Sequence, residues 1–99
     1  MKIPKSFKLF GHIIEVEMQE HLNDKTDCRG QTRYRENKIY LQVIDEKFYS
    51  RPVTTLEQTF CHEMVHWILT VMQEKIEEDE KFVEVFSQLL HQALTTMEY

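Results

Sequence analysis

The chain opens with a two-residue alternation. "FKLFGHIIEVEM", Phe7 to Met18, spreads β-branched and aromatic residues around Gly11, where a turn or bulge fits, and so predicts a hairpin. A second pair of strands is expected from Arg29 to Tyr34 and from Ile39 to Val43, with a turn around Glu36-Asn37. "IDEKFYSRPV", Ile44 to Val53, is the longest connection, and the period then lengthens to that of a helix. Pro52, with Thr54 and Glu57 three residues apart, forms a helix start with a capping box, and the helical pattern runs to about Gln73. After the polar turn "EKIEED", Asp79 caps a second helix that carries Glu80 in its first turn and runs almost to Tyr99. The short turn makes the two helices antiparallel neighbours. The expected class is α+β, a small antiparallel or mixed sheet (1–44) followed by a helix at 53–74 and a second at 79–98, in one domain, 1–99.

At 99 residues the chain builds one modest core. Twelve Lys and Arg against seventeen Asp and Glu give a net charge of -5, and no basic run tracks a phosphate backbone, so nucleic acid is not expected as a direct ligand. The first residues carry charges and Pro4 where a secretory signal needs an unbroken apolar region, and no uncharged run is long enough to span a bilayer. A cytoplasmic protein without a membrane segment is expected. Cys28 and Cys61 lie in different contexts and read as two reduced thiols.

The first helix departs from an ordinary amphipathic pattern. Phe60, Cys61, Met64, Val65, Trp67, Ile68, Leu69, Val71 and Met72 occupy most of its circumference. The remaining arc holds Thr55, Thr59, His62, Glu63, His66 and Thr70, with Glu63 the sole formal charge between Gln58 and Gln73. A carboxylate inside an uncharged helix costs about 1 to 3 kcal/mol unless it is paired or hydrated. The arc therefore faces a polar cleft. His62 and His66, four residues apart, project from one face and can hold a single ion through their ring nitrogens. Glu63 lies about 100° around the helix from His62, beside that ion, where a general base for metal-bound water belongs.

A catalytic zinc site takes three protein ligands and a water, so the second helix must supply one more. There Phe82, Val83, Phe86, Leu89, Leu90, Ala93, Leu94 and Met97 read as a core stripe, with Glu80, Glu84, Ser87 and His91 along one edge, and both Glu80 and Glu84 are ligand candidates. The window "TFCHEMVHWI" resembles the extended zinc motif of zincin metallopeptidases, and "EKFVEVFSQLL" resembles the second glutamate helix of gluzincins. The short chain and strand-helix-helix order look most like the small ImmA/IrrE-type and phage-encoded metallopeptidases. The resemblance implies that Glu80 ligates Zn²⁺ with His62 and His66. It matches Glu84 to the carboxylate that orients a ligand histidine, and Phe86 and Ser87 to the aromatic and small positions. Glu84 stands where Asp is more usual, and the interval from His66 to Glu80 is short, which keeps Glu84 open as the ligand.

The expected function is that of a minimal zinc endopeptidase, in which Glu63 assists attack of zinc-bound water on a peptide bond of a protein or peptide substrate, by resemblance a regulator in the same cell. A non-catalytic, metal-stabilised interaction module is the alternative, and a metal-free helical hairpin the third reading. His12 and His21 read as surface residues and His91 as a residue of the cleft rim; Tyr34 and Tyr40 read as strand-packing aromatics, with either able to face a transition-state oxyanion. Zincins present an edge strand beside the metal helix, and Ile39 to Gln42, the strand nearest that helix in sequence, is expected to form the cleft's upper rim.

Overall fold

In the computed structural model, residues 1–20, 22, 29–45 and 49–99 are described. His21, Cys28 and the middle of the connection before the first helix lie outside them.

Strands β1 (Ser6–Leu9) and β2 (His12–Gln19) pair antiparallel, with Leu9 opposite His12. The two residues between them, Phe10 and Gly11, both take positive φ (48° and 82°). That is the hairpin turn whose twist matches the flanking strands; Gly11 suits its position, whereas Phe10 adopts a left-handed conformation that a bulky side chain rarely takes. β3 (Gly30–Arg33) leads through a short 3-10 turn (Tyr34–Glu36) and Asn37, in the left-handed conformation, into β4 (Lys38–Gln42). The sheet order is β1-β2-β4-β3, with β4 parallel to β2 and antiparallel to β3, so the sheet is mixed.

This order corrects one expectation. β4 is paired on both sides and cannot be the rim of a cleft; the free edge beside the first helix belongs to β3. Burial explains the placement, since Ile39, Tyr40 and Leu41 are all buried, as a central strand demands.

Helix α1 (Val53–Val71) lies across the sheet and helix α2 (Glu80–Thr96) lies on α1. Side-chain pairs Glu57–His91, His62–Glu84 and His66–Glu80 fix the two helices as antiparallel. Ile14, Ile39 and Leu41 from the sheet meet Phe60, Cys61 and Trp67 from α1 to form the core. α1 ends where Gln73 turns left-handed and the Glu74 N–H reaches back to the Leu69 carbonyl at 2.9 Å. Asp79 caps α2 through the Phe82 N–H at 3.1 Å.

Two local expectations are corrected. No capping box forms at α1: the helix begins directly after Pro52, which offers no side-chain acceptor, and the Glu57 carboxylate pairs with His91 instead. On α2 the buried residues are Val83, Ser87 and His91, while Phe86, Leu89 and Met97 are exposed. α2 rests mainly on α1 and the preceding 3-10 turn (Lys75–Glu78), and its buried residues form one narrow strip at a spacing of four. No helix among the described residues is long and apolar enough to cross a membrane.

Candidate metal centre

From Thr59 to Val71 no residue of α1 is exposed, because the sheet covers one side and α2 the other. Between these covers the polar arc opens into a cleft of about 460 Å³, lined from α1 by Thr55, Thr59, His62, Glu63 and His66 and from α2 by Glu80, Glu84 and Ser87. The His62 and His66 rings sit with centroids 5.0 Å apart.

One Glu80 carboxylate oxygen lies 3.2 Å from Nε2 of His62 and the other 2.9 Å from Nε2 of His66. Ligand atoms of His62, His66 and Glu80 all fall within 4.8 Å of one another, close enough to share one ion. The second nitrogen of His62, Nδ1, lies 2.9 Å from a Glu84 oxygen. His62 therefore has a carboxylate against each ring nitrogen, and a neutral imidazole has one proton to offer. A cation on the Nε2 side would resolve the conflict and leave the Nδ1 proton to Glu84, as a second proton on the ring would also do. Two imidazoles and one carboxylate are a donor set that fits zinc.

Glu63 is buried in the wall of the same cleft. Burial pushes its carboxyl above the usual carboxylate range; the Thr32 hydroxyl, His62 and His66 pull it back, and Glu80 adds to the upward push. Thr32 Oγ1 donates to Glu63 Oε2 from β3. Gly30, on the same strand, is where backbone meets α1 most closely: a Cβ there would come 2.6 Å from Thr59 Cγ2 and 3.1 Å from Glu63 Cγ. Thr59 cannot easily yield, because its hydroxyl accepts from Arg51 at 2.6 Å and donates to the Thr55 carbonyl at 3.0 Å. Without a side chain at residue 30, the edge strand seats itself directly over the base candidate.

The other sequence candidates separate clearly. Tyr34 lines the continuation of the cleft past Glu63 and His66, with its hydroxyl accepting from Thr70 at 2.9 Å. Tyr40 instead donates to Glu36 at 3.2 Å, beneath the Arg33 guanidinium, and lines neither stretch of the cleft. His12 is exposed at the start of β2. His91 is not on the cleft rim: it is buried, with Nε2 2.9 Å from Glu57 Oε1, and it ties the C-terminal half of α2 to the start of α1. Thr32, Gly30, Arg29 and Arg51 had no signal of their own in the sequence, since each acts through a partner far along the chain. The run "RGQT" carried at most the hint that a glycine inside a strand marks a close approach of backbone.

No protein-family model, curated protein or solved structure matches the chain. The reading of the site rests on its geometry.

Proposed function

We propose that this protein is a zinc-dependent endopeptidase working in the cytoplasm, with His62, His66 and Glu80 as metal ligands and Glu63 as general base. The observation that carries the proposal is the convergence of those three side chains within 4.8 Å at the floor of a cleft that also contains the buried Glu63 carboxylate. Zn²⁺ held there would act as a Lewis acid toward water and the substrate carbonyl. Glu63 accepts a proton from the attacking water and delivers it to the leaving amine. Burial raises its proton affinity above that of an ordinary carboxylate, the direction that favours a group which must take up a proton. Thr32 holds one oxygen of Glu63, and the other, Oε1, lies beside Gly30, where a Cβ would come within 3.3 Å of it.

β3 supplies the place for an extended peptide. The Gln42 N–H donates to the Arg29 carbonyl at 2.9 Å, so Arg29 and, by alternation, Gln31 and Arg33 turn their main-chain groups toward β4. Gly30 and Thr32 turn theirs to the free edge. A substrate strand added at that edge lies along the cleft and passes Glu63 and His66. The fitting substrate is a protein segment that can be drawn out into an extended strand.

Elemental analysis of untagged protein tests the metal, with one zinc per chain expected in the wild type and none in a His62→Ala, His66→Ala double variant. Cleavage of a protein or peptide pool tests the chemistry. Glu63→Gln should keep its zinc and lose hydrolysis. Unchanged hydrolysis in that variant removes Glu63 as base, and zinc without hydrolysis in the wild type leaves a metal-stabilised interaction module.

A further inference from the structure

The cleft is electrically lopsided. Glu63, Glu80 and Glu84 crowd its metal end, while Arg29 is the sole Lys or Arg among the described residues that line it. Arg29 sits immediately before β3, and its carbonyl is held twice, by the Gln42 N–H at 2.9 Å and by Arg51 Nη1 at 3.0 Å. Its exposed side chain thus leaves the backbone from a fixed point, and it forms no ion pair with any described residue.

Directly behind it Arg51 is buried, 7% exposed, and its hydrogen bonds go to neutral oxygens: the carbonyls of Arg29 and Gln42 and the hydroxyl of Thr59. A guanidinium stays charged in a protein, so a second positive charge stands behind the cleft wall, and among the described residues it forms no ion pair. Burial and the nearby Arg29 pull Arg51 below the usual arginine range, and Asp45 offsets this in part through space. Two cations that repel each other at a cleft wall focus a positive potential into the space in front of them. The neutral donors of Gln58 and Thr55 complete that end of the cleft. A substrate group that relieves this repulsion must be an anion, and a planar carboxylate matches the fork of a guanidinium.

We infer that the Arg29 end of the cleft is a subsite for a substrate carboxylate, which directs the protein to acidic peptides and away from basic ones. The inference rests on the peptidase reading above. The carboxylate belongs either to an Asp or Glu side chain or to a free chain end.

The test measures binding. Zinc-loaded protein is titrated by calorimetry with peptide hydroxamates, which anchor on the metal, carrying Glu or Gln at each of three positions on either side of the anchor. A third set replaces the side-chain carboxylate with a free carboxy terminus. At one position a charged probe should bind about tenfold tighter than its neutral counterpart, with the advantage shrinking as salt rises. Arg29→Gln should abolish that advantage, and Arg29→Lys should restore part of it. Whichever charged set carries the preference identifies the source of the carboxylate. If all hydroxamates bind alike, or if the preference survives Arg29→Gln, the subsite is wrong while the metal reading stands. If zinc is bound and no hydroxamate binds, the peptidase reading falls and the subsite falls with it.

Discussion

The hydroxyl of Thr32, on the free edge strand, donates to the carboxylate of Glu63, in the middle of α1. One bond thereby links the strand proposed to receive substrate to the proposed base. Thr32→Val keeps the shape and removes the donor, leaving burial less opposed, so the Glu63 carboxyl should rise further. The acid limb of the pH profile for peptide hydrolysis should move to higher pH. An unmoved limb with reduced activity at all pH values would show that Thr32 acts only on the backbone.

Glu63 should also cost the fold stability at neutral pH. Below its ordinary value of 4.5 the folded and unfolded chains both carry the neutral acid, and there is no penalty. As pH rises the unfolded chain ionises first, so stability falls through the interval up to the higher folded value. Metal-free Glu63→Gln should therefore melt above metal-free wild type at pH 7, with the gap closing toward pH 4. A gap that does not depend on pH would mean that the Glu63 charge is already compensated in the folded protein.

The two carboxylates of α2 should differ in their effect on metal. Glu80 faces Nε2 of both histidines, and Glu84 faces Nδ1 of His62. Glu80→Gln should strip zinc, whereas Glu84→Gln should weaken binding by about 10- to 100-fold, the usual loss when a carboxylate that orients a ligand histidine is removed. Competition against a chromogenic chelator measures both. The reverse ranking would exchange the two roles.

Gly30→Ala should lower stability by about 1 to 3 kcal/mol, because the new Cβ meets a Thr59 side chain held at its hydroxyl by Arg51 and the Thr55 carbonyl. Urea unfolding reads the loss, and Thr59→Ser, which removes the clashing methyl and keeps the hydroxyl, should recover part of it. A neutral Gly30→Ala would show that β3 can lift from the helix at little cost.

Cys61 should be inert as a thiol. Burial and the nearby Glu57 push it up to about 11, with the amino terminus opposing, and its Sγ lies 3.7 Å from Met1 Sδ. In a Cys28→Ser background, alkylation at pH 8 should be negligible until the protein is unfolded. Stability should fall as pH rises from 9 toward 11, since the unfolded thiol ionises first, by about 2 kcal/mol relative to the same background with Cys61→Val. Rapid native alkylation would place Cys61 in solvent.

Much of the site is a local property and could be read from the chain. His62, Glu63 and His66 share one helix, so their relative directions follow from helical geometry once the helix is recognised, and the absence of any other charge around them marks a buried face. The hairpin at Phe10-Gly11, the Asp79 cap and the antiparallel helix pair are local in the same sense, each decided by residues a few positions apart. What the tertiary structure alone decided is everything that joins residues distant in sequence. Strand order was one such choice. Ile39, Tyr40 and Leu41 form a continuous apolar run that suits a central strand, but nearness to α1 in sequence suggested an edge, and only the pairing of β4 with β2 across the sheet settles it. The extent of burial on α2 was another: Phe86, Leu89 and Met97 repeat as a core stripe should, yet α2 packs mainly on α1 and a short turn, and these three side chains stay exposed. Thr32 reaching Glu63, Arg51 reaching Arg29, and Glu57 leaving its own helix start for His91 all depend on where the layers stack. A periodic pattern shows which side of an element prefers to be covered; what covers it is set by packing between elements, which no local pattern encodes.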